Sequence, residues 1–338
     1  MATAVTPTPR ERGWRRLLPA LVAFLCVPLV PLFRVIVPVE QTLLLITPAM
    51  AACAVVGWWA GGRASLAIIW AGLAAWMLST PLPAAGAYDS LARGWAAILA
   101  ACFGLVCVLG SRRTFFVRAL SATAIAFAVA LSIALLSPSG IGRLGQSMRG
   151  ELTRRVDASF EGWGALSQTS EWRDFSEKNP SVASWTEEGE RQLRVLPRFT
   201  VPVFPALLGL ESLAALALAW GLYHRVSRVR IGAPLAPLRD FRFNDQLIWG
   251  LVAGTVAVLL PTLSGFRGVG FNLLLFFGAL YALRGFGVLT WFLAPGRLVT
   301  VLLIGFALLA WPLMGIFALG LGLGDTWLDW RSRARPTT

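Results

Sequence analysis

Long apolar stretches occupy most of this chain and restrict its fold more than any other feature. A helix needs about 20 mostly apolar residues to cross the hydrocarbon core of a bilayer. Candidate spans lie at 17–37, 42–60, 64–80, 94–110, 115–137, 200–223, 246–264, 270–293 and 298–322. Because Pro28 and Pro31 interrupt the first stretch, we predict an all-α membrane protein, a helical bundle of eight or nine transmembrane helices.

The composition excludes an ordinary soluble protein. Only 14% of the residues are charged and 57% are hydrophobic, whereas soluble domains carry about 25% charged residues. The apolar stretches divide the sequence into N-terminal membrane helices at 1–137, a polar segment at 138–199, and C-terminal membrane helices at 200–338.

The polar segment has the periodicity of an amphipathic helix. Apolar residues recur every four positions at Leu144, Met148, Leu152, Val156 and Phe160, which places them on one helix face. On the opposite face, Glu151 and Arg155 have the spacing of a favourable ion pair. We predict a helical insert, with breaks at Pro180 and Pro197. It is either a lid over a binding site or a helix lying on the bilayer surface.

Arginine positions give an orientation, because basic loops stay on the cytoplasmic side. The N-terminal arginines and the loop 224–243 are then inside, and the insert is extracytoplasmic. With nine spans, however, the tail arginines at 331, 333 and 335 fall outside, against the rule. Either one stretch does not fully span, or the tail is an exception.

The net charge of +13 points to lipid as the partner. The arginines stand at helix ends and in short loops, where they meet the anionic lipids of the bilayer. A nucleic-acid-binding protein would need a basic soluble domain with aromatic side chains. The sequence has none, so we predict no nucleic-acid partner.

Two charged residues lie within candidate spans, and they are the best clue to a binding site. Glu211 and Arg284 each carry a charge that costs about 2.5–3.5 kcal/mol at the centre of a membrane helix. On the predicted orientation their depths differ by roughly 4–5 Å, from a rise of about 1.5 Å per residue. We predict that they pair or line one substrate-binding cavity, with Asn272 and Tyr281 beside them. The alternative is a structural ion pair that ties two helices together.

Catalytic, metal and nucleotide-binding patterns are missing from the sequence. There is one histidine, the four cysteines lie in apolar stretches, and no nucleophile or zinc motif occurs. The glycine strings at 265–272 and 320–325 lack the lysine of a phosphate-binding loop. We interpret them as flexible loops or sites of close helix packing. We predict that the protein is not an enzyme and uses no metal or cofactor.

Three stretches near the C-terminus carry a family resemblance. They read LRDFRFNDQLIWGLVAG, FNLLLFFGALYALRGFGVL and GLGLGDTWLDWR, between residues 238 and 331. This region resembles the YybS-like family of bacterial integral membrane proteins. The fold of that family is similar to the substrate-binding subunits of energy-coupling-factor transporters, which capture vitamins and similar solutes.

The resemblance implies a multi-pass protein of the bacterial cytoplasmic (inner) membrane with a solute-binding or transport-related function. Because the sequence has no nucleotide-binding motif, energy for transport would come from an ATP-driven coupling module as partner. The alternative is a membrane scaffold or assembly factor that has no small-molecule ligand.

Overall fold

A computed structural model of the chain describes residue 14 and residues 17–26, 39–80, 86–110, 113–137, 140–167, 169–293, 296, 299 and 310–333. Within these ranges the regular secondary structure is helical and no strand occurs, which confirms the predicted all-α class. The α-helices are α1 (Leu17–Cys26), α2 (Val39–Trp59), α3 (Ala64–Ser79), α4 (Ala87–Leu109), α5 (Phe115–Leu136), α6 (Gly140–Ser167), α7 (Ser170–Lys178), α8 (Pro180–Val226), α9 (Ile248–Leu259), α10 (Arg267–Leu293), α11 (Trp311–Leu328) and α12 (Trp330–Arg333).

Five segments of the described chain are long and apolar enough to cross a membrane. They are Glu40–Trp59, Ala87–Leu109, Phe115–Leu136, Arg194–Val226 and Pro261–Leu293. Three other apolar helices, Ala64–Ser79, Asp245–Leu259 and Leu313–Leu328, are shorter. At 1.5 Å per residue, the 16 residues of α3 extend about 24 Å, less than the roughly 30 Å hydrocarbon core.

The total of eight or nine spans stays a prediction. Parts of the first and last candidate spans, at 27–37 and 300–309, lie outside the described residues.

The described chain separates into two packing units. The first comprises Met1–Pro202 with Glu211–Pro234, and the second comprises Val203–Leu210 with Leu235–Thr338. The sequence-based division at 137 and 199 stays a prediction. The middle of α8, Val203–Leu210, belongs to the second unit.

The core of the first unit forms where α2, α4 and the C-terminal part of α8 meet. Met50, Phe103 and Trp220 are completely buried, and the rings of Phe103 and Trp220 meet edge to face at 6.1 Å. Gly57 lets α2 approach α8, because a Cβ at this position would overlap the Tyr223 hydroxyl.

The predicted helix of the polar segment is present as α6. Leu152 and Val156 are buried and pack with Phe160, Leu196 and Val201. The apolar face of α6 therefore packs against α8. Its place outside the membrane, as an extracytoplasmic insert, stays a prediction.

Helix α8 is the longest element, with 47 residues. Pro180 occupies its first turn, where a missing N–H breaks no helical hydrogen bond, so this predicted boundary is confirmed. The predicted break at Pro197 is wrong, because α8 continues through it to Val226. Prolines are tolerated within membrane helices when neighbouring groups or local adjustments satisfy the freed carbonyls.

Glycines determine helix packing in the second unit. A Cβ at Gly285 would overlap the carbonyl oxygen of Ala318, and a Cβ at Gly322 would overlap that of Tyr281. These contacts join α10 to α11 backbone against backbone. A Cβ at Gly254 of α9 would lie only 3.0 Å from the carbonyl oxygen of Gly270 in α10. Gly322 and Gly270 lie in the two glycine strings, and at these positions the packing interpretation is confirmed.

Candidate functional site

Glu211 is a buried carboxylate on the C-terminal half of α8. Only 7% of its surface is exposed. Its Oε2 accepts a hydrogen bond of 2.7 Å from Nε2 of Gln41, a buried residue near the start of α2. Its Oε1 has no hydrogen-bond partner among the described residues. One carboxylate oxygen is therefore fixed, and the other is buried without a hydrogen-bond partner among the described residues.

Gln41 is held in one orientation by two donors on its other side. Its Oε1 accepts a 2.7 Å hydrogen bond from the hydroxyl of Tyr88 in α4. It also lies 3.4 Å from Nη2 of Arg155 in α6. Because both donors engage the amide oxygen, the amide NH2 group must point at Glu211. Gln41 thus connects the carboxylate to two other helices.

Arg155 extends this chain of contacts to the polar face of α6. Its guanidinium carbon lies 4.9 Å from the centre of the Tyr88 ring, and its Nε is 2.8 Å from Oε1 of Glu151. The predicted pairing of Glu151 with Arg155 is confirmed. Arg154 binds the same carboxylate at 2.7 Å.

The two arginines also change the protonation of Glu151. Partial burial raises the pKa of Glu151, but the hydrogen bonds from Arg154 and Arg155 outweigh this effect, and the pKa is lowered overall. Glu151 is therefore ionised near neutral pH, and its negative charge compensates the positive charge of Arg155. Within the described chain Glu211 forms no ion pair. The arrangement leaves a membrane carboxyl group able to accept a proton, an N–H donor or a cation.

Arg284 lies in a different kind of environment, where it bonds to acidic partners of the second unit. Its Nε donates to Oδ2 of Asp325 at 2.9 Å, and its Nη1 donates to Oδ1 of Asp245 at 2.6 Å. Arg331 bonds to the same Asp325 oxygen at 2.6 Å. Two arginines and two aspartates thus form a compensated cluster.

The Arg284 cluster fixes a loop and the C-terminal end of the described chain. Nη1 of Arg331 donates to the carbonyl oxygens of Arg239 and Phe241, at 3.0 and 3.2 Å. The guanidinium carbon of Arg284 lies 5.4 Å from the centre of the Phe243 ring. The contacts of this cluster are those of a structural element that joins α10, α11 and the loop after α8.

The other two predicted site residues contribute to packing in the second unit. Asn272 accepts a 2.9 Å hydrogen bond from the backbone N–H of Ala206 and donates a 2.7 Å bond to the carbonyl of Gly268. This is the interhelical role that an amide in a span commonly has. Tyr281 is buried, and its ring meets that of Phe243 edge to face at 5.0 Å.

The four predicted residues therefore have separate partners. Glu211 belongs to the first unit, and Arg284, Asn272 and Tyr281 belong to the second. Their sharing of one substrate site stays a prediction.

The fold class and the span-length helices agree with a comparison to known families. The model of the family described as predicted membrane protein, DUF2232, matches residues 32–326. The chain belongs to the DUF2232 family. Comparisons with curated proteins and with solved structures found no match.

The family match covers the Glu211 site and the Arg284 cluster except for Arg331. The matched residues include Gln41, Glu211, Arg284 and Asp325. The family description establishes a membrane protein and assigns no ligand or partner. The resemblance to the YybS-like family and to energy-coupling-factor subunits goes beyond this match.

Sequence reasoning missed most of the partners of the two charged residues. Gln41 and Tyr88 lie in short polar stretches, 40–42 and 88–90, near the starts of apolar helices. Nothing in their spacing links them to Glu211. Asp325 had one available signal, since it is an acidic residue directly after an apolar glycine string. Such a residue is a natural candidate partner for an arginine inside a neighbouring span.

A further buried charge, Arg118 near the start of α5, was also missed. It is completely buried. Its Nη1 donates to the carbonyl of Ile231 at 2.7 Å, and its Nε donates to the carbonyl of Gly110 at 3.1 Å. Arg118 holds the loop after α8 within the first unit, which is a structural role.

Proposed function

We propose that this protein is a solute-binding or transport-related subunit of the bacterial cytoplasmic membrane, and that Glu211 binds its ligand. One observation carries the proposal. Glu211 lies inside the span-length segment Arg194–Val226, where Gln41 fixes one carboxylate oxygen and the other has no partner in the part of the chain that the structure describes. A structural carboxylate in a membrane protein is expected to be paired, as Asp325 is with two arginines.

The chemistry of Glu211 selects the class of ligand. A carboxylate oxygen without a donor in apolar surroundings is an unsatisfied acceptor, which costs free energy. A protonated amine or another N–H donor removes this cost, so we expect the ligand to carry such a group. Gln41 fixes the direction of the carboxylate and Tyr88 fixes Gln41. The likeness to vitamin-binding subunits favours a small organic solute of this type over an inorganic ion.

Helix α6 is suited to act as a lid in this proposal. Arg155 joins Gln41 and Tyr88 to Glu151 on the polar face of α6. A displacement of α6 would remove a donor from Gln41 and release the amide that holds Glu211. Because the sequence has no nucleotide-binding motif, we propose that an ATP-driven coupling module supplies the energy for transport.

A ligand-dependent stability measurement tests the role of Glu211. A solute that binds only the folded protein raises the free energy of unfolding by about 2.7 kcal/mol at 100 times its Kd. We expect at least one small amine or N–H heterocycle to raise the Tm of the purified wild type. The variant Glu211→Gln is expected to lose this response, and Glu188→Gln, an exposed change on the same helix, to keep it.

An equal response in Glu211→Gln and the wild type would contradict the proposed site. Purification in mild detergent, followed by identification of the co-purifying proteins, distinguishes the transport subunit from the second candidate function, a membrane scaffold. Recovery of an ATPase with a transmembrane coupling protein supports a transport subunit. Recovery of other envelope proteins alone, with no stabilising solute, would favour the membrane scaffold.

A further inference from the structure

A cavity of about 530 Å3 lies between α6 and α8 in the first unit. Three guanidinium groups, one hydroxyl and one carboxylate surround it, above buried apolar side chains. The lining residues are Arg149, Thr153, Val156 and Asp157 of α6, and Arg194, Pro197 and Arg198 of α8. Glu211 is not among these residues, so the cavity is distinct from the site proposed above.

Helix periodicity brings the polar groups of the cavity together. Arg149 and Thr153 are four residues apart on α6, as are Arg194 and Arg198 on α8, so each pair shares one face of its helix. The buried residues Val156 and Pro197 lie between the two helices. This packing holds the three guanidinium groups around a common space.

Two of the three arginines have no counter-ion among the described residues. In the part of the chain that the structure describes, neither Arg149 nor Arg198 forms an ion pair. The guanidinium carbon of Arg194 lies 5.1 Å from the centre of the Phe160 ring. Among the lining residues Asp157 is the one acid. Such a set of planar donors fits the oxygens of a phosphate group.

The position of the cavity along α8 indicates where the phosphate comes from. Arg194 is the first residue of the span-length segment Arg194–Val226, and arginines at span ends lie at the level of the lipid head groups. Val195 and Phe199 of the same turns are 41% and 66% exposed. These two side chains offer an apolar surface for acyl chains beside the arginine cluster.

We propose that this cavity binds the phosphate head group of an anionic phospholipid. The guanidinium groups of Arg149, Arg194 and Arg198 contact the phosphate oxygens, and the Thr153 hydroxyl is a further donor. The acyl chains run along Val195 and Phe199. Asp157 weakens the binding, because its carboxylate repels the phosphate.

Native mass spectrometry of the full-length, delipidated protein tests the site. Short-chain phosphatidylglycerol is titrated into the wild type, R149Q/R198Q, and the control R143Q/R191Q, which removes two exposed arginines outside the cavity. At about 1 kcal/mol per basic residue, R149Q/R198Q is expected to bind more than tenfold more weakly. The control is expected to bind within about twofold of the wild type, on the same scale.

A second variant keeps the test independent of folding defects. Asp157→Asn removes the repelling charge and is expected to bind phosphatidylglycerol about fivefold more tightly, a gain that misfolding does not produce. Equal losses in R149Q/R198Q and the control, or weaker binding by Asp157→Asn, would overturn the proposal. Binding of inorganic phosphate with no binding of phosphatidylglycerol would overturn the lipid as its source.

Discussion

The two buried carboxylates Glu211 and Asp325 differ in whether a neighbouring positive charge compensates them. Asp325 is bonded to the guanidinium groups of Arg284 and Arg331, so its charge is compensated. Among the described residues Glu211 has one hydrogen-bond partner, the uncharged amide of Gln41. Burial penalises an uncompensated carboxylate strongly, and a protein retains such a group where a ligand or proton makes use of it.

At Arg284 we predict a large loss of stability on substitution. Arg284→Gln leaves the buried Asp325 with one partner fewer and removes the partner of Asp245, and breaking a buried pair costs about 3–5 kcal/mol. Thermal unfolding in detergent is the measurement. The control is Arg242→Gln, which breaks an exposed pair with Asp329 and is expected to cost less than about 1 kcal/mol. Equal losses for both variants would contradict the compensated cluster.

The charged residues of the site were predictable from the sequence, and their partners were not. Glu211 and Arg284 stand out because apolar runs surround them. The partner of Glu211 is 170 positions away in the chain, and a single polar residue at a helix start carries no signal of such a contact. The pairing of two conspicuous charges was an inference from depth alone. Depth does not determine which helices are neighbours.

At the scale of the helix, glycines set the packing of α10 on α11. Gly285 and Gly322 allow direct backbone contact, since a Cβ at either position would overlap a carbonyl oxygen of the facing helix. Backbone atoms cannot move aside as the end of a flexible side chain does. The close approach in turn places Asp325 of α11 within reach of Arg284.

We predict opposite effects for glycine-to-alanine changes at two positions of α10. Gly285→Ala forces α10 and α11 apart, and overpacking of this kind costs about 1–3 kcal/mol or more. Gly278→Ala, in the same helix, meets open space and is expected to stabilise the helix by up to about 1 kcal/mol. Thermal unfolding of both variants measures the difference. A neutral Gly285→Ala would show that the two backbones are not in contact.

Attachment of α6 is predicted to depend on pH through Glu151. The pKa of Glu151 is lowered by its two arginine partners, so its stabilising effect is complete above the ordinary value of 4.5. It is lost as the pH falls through the lowered pKa. Hydrogen exchange of α6, corrected for intrinsic rates, is expected to increase in this acid range. In Glu151→Gln the exchange should already be faster near neutral pH and change little with acid.

The periodicity of apolar residues predicted the helices better than the positions of prolines predicted their ends. The four-residue spacing of Leu152, Val156 and Phe160 predicted α6 correctly, because burying an apolar face requires that spacing. Pro197 did not break α8, since surrounding structure overrides the local preference of a proline within a packed bundle. A single sequence contains no information on that surrounding structure.

At the scale of the whole chain, the contact of Arg331 with the loop carbonyls bears on topology. Arg331 donates to the carbonyls of Arg239 and Phe241, so the C-terminal end of the described chain meets the loop after α8. Two segments in direct contact lie on the same side of a membrane. This favours the alternative in which one predicted stretch does not fully span, and α9, with 12 residues, is short enough.

Single-cysteine labelling tests this topology. In a variant without the native cysteines, Asp240→Cys and Arg333→Cys are expected to react with a membrane-impermeant maleimide from the same side. Because α9 does not fully span in this account, Thr262→Cys, at the start of the segment Pro261–Leu293, is expected to react from that same side. Labelling of Asp240→Cys and Arg333→Cys from opposite sides would contradict the contact.

The central claim is that Glu211 is an open carboxyl group held ready for a ligand, whereas Asp325 is a closed structural one. A membrane-soluble carbodiimide reacts with protonated carboxyl groups in apolar surroundings and leaves those bonded to arginine intact. Peptide mass spectrometry after treatment of the native membrane compares both residues within one molecule. The account predicts modification at Glu211 and none at Asp325. Modification of Asp325 with an intact Glu211, or no modification of either residue, would contradict it.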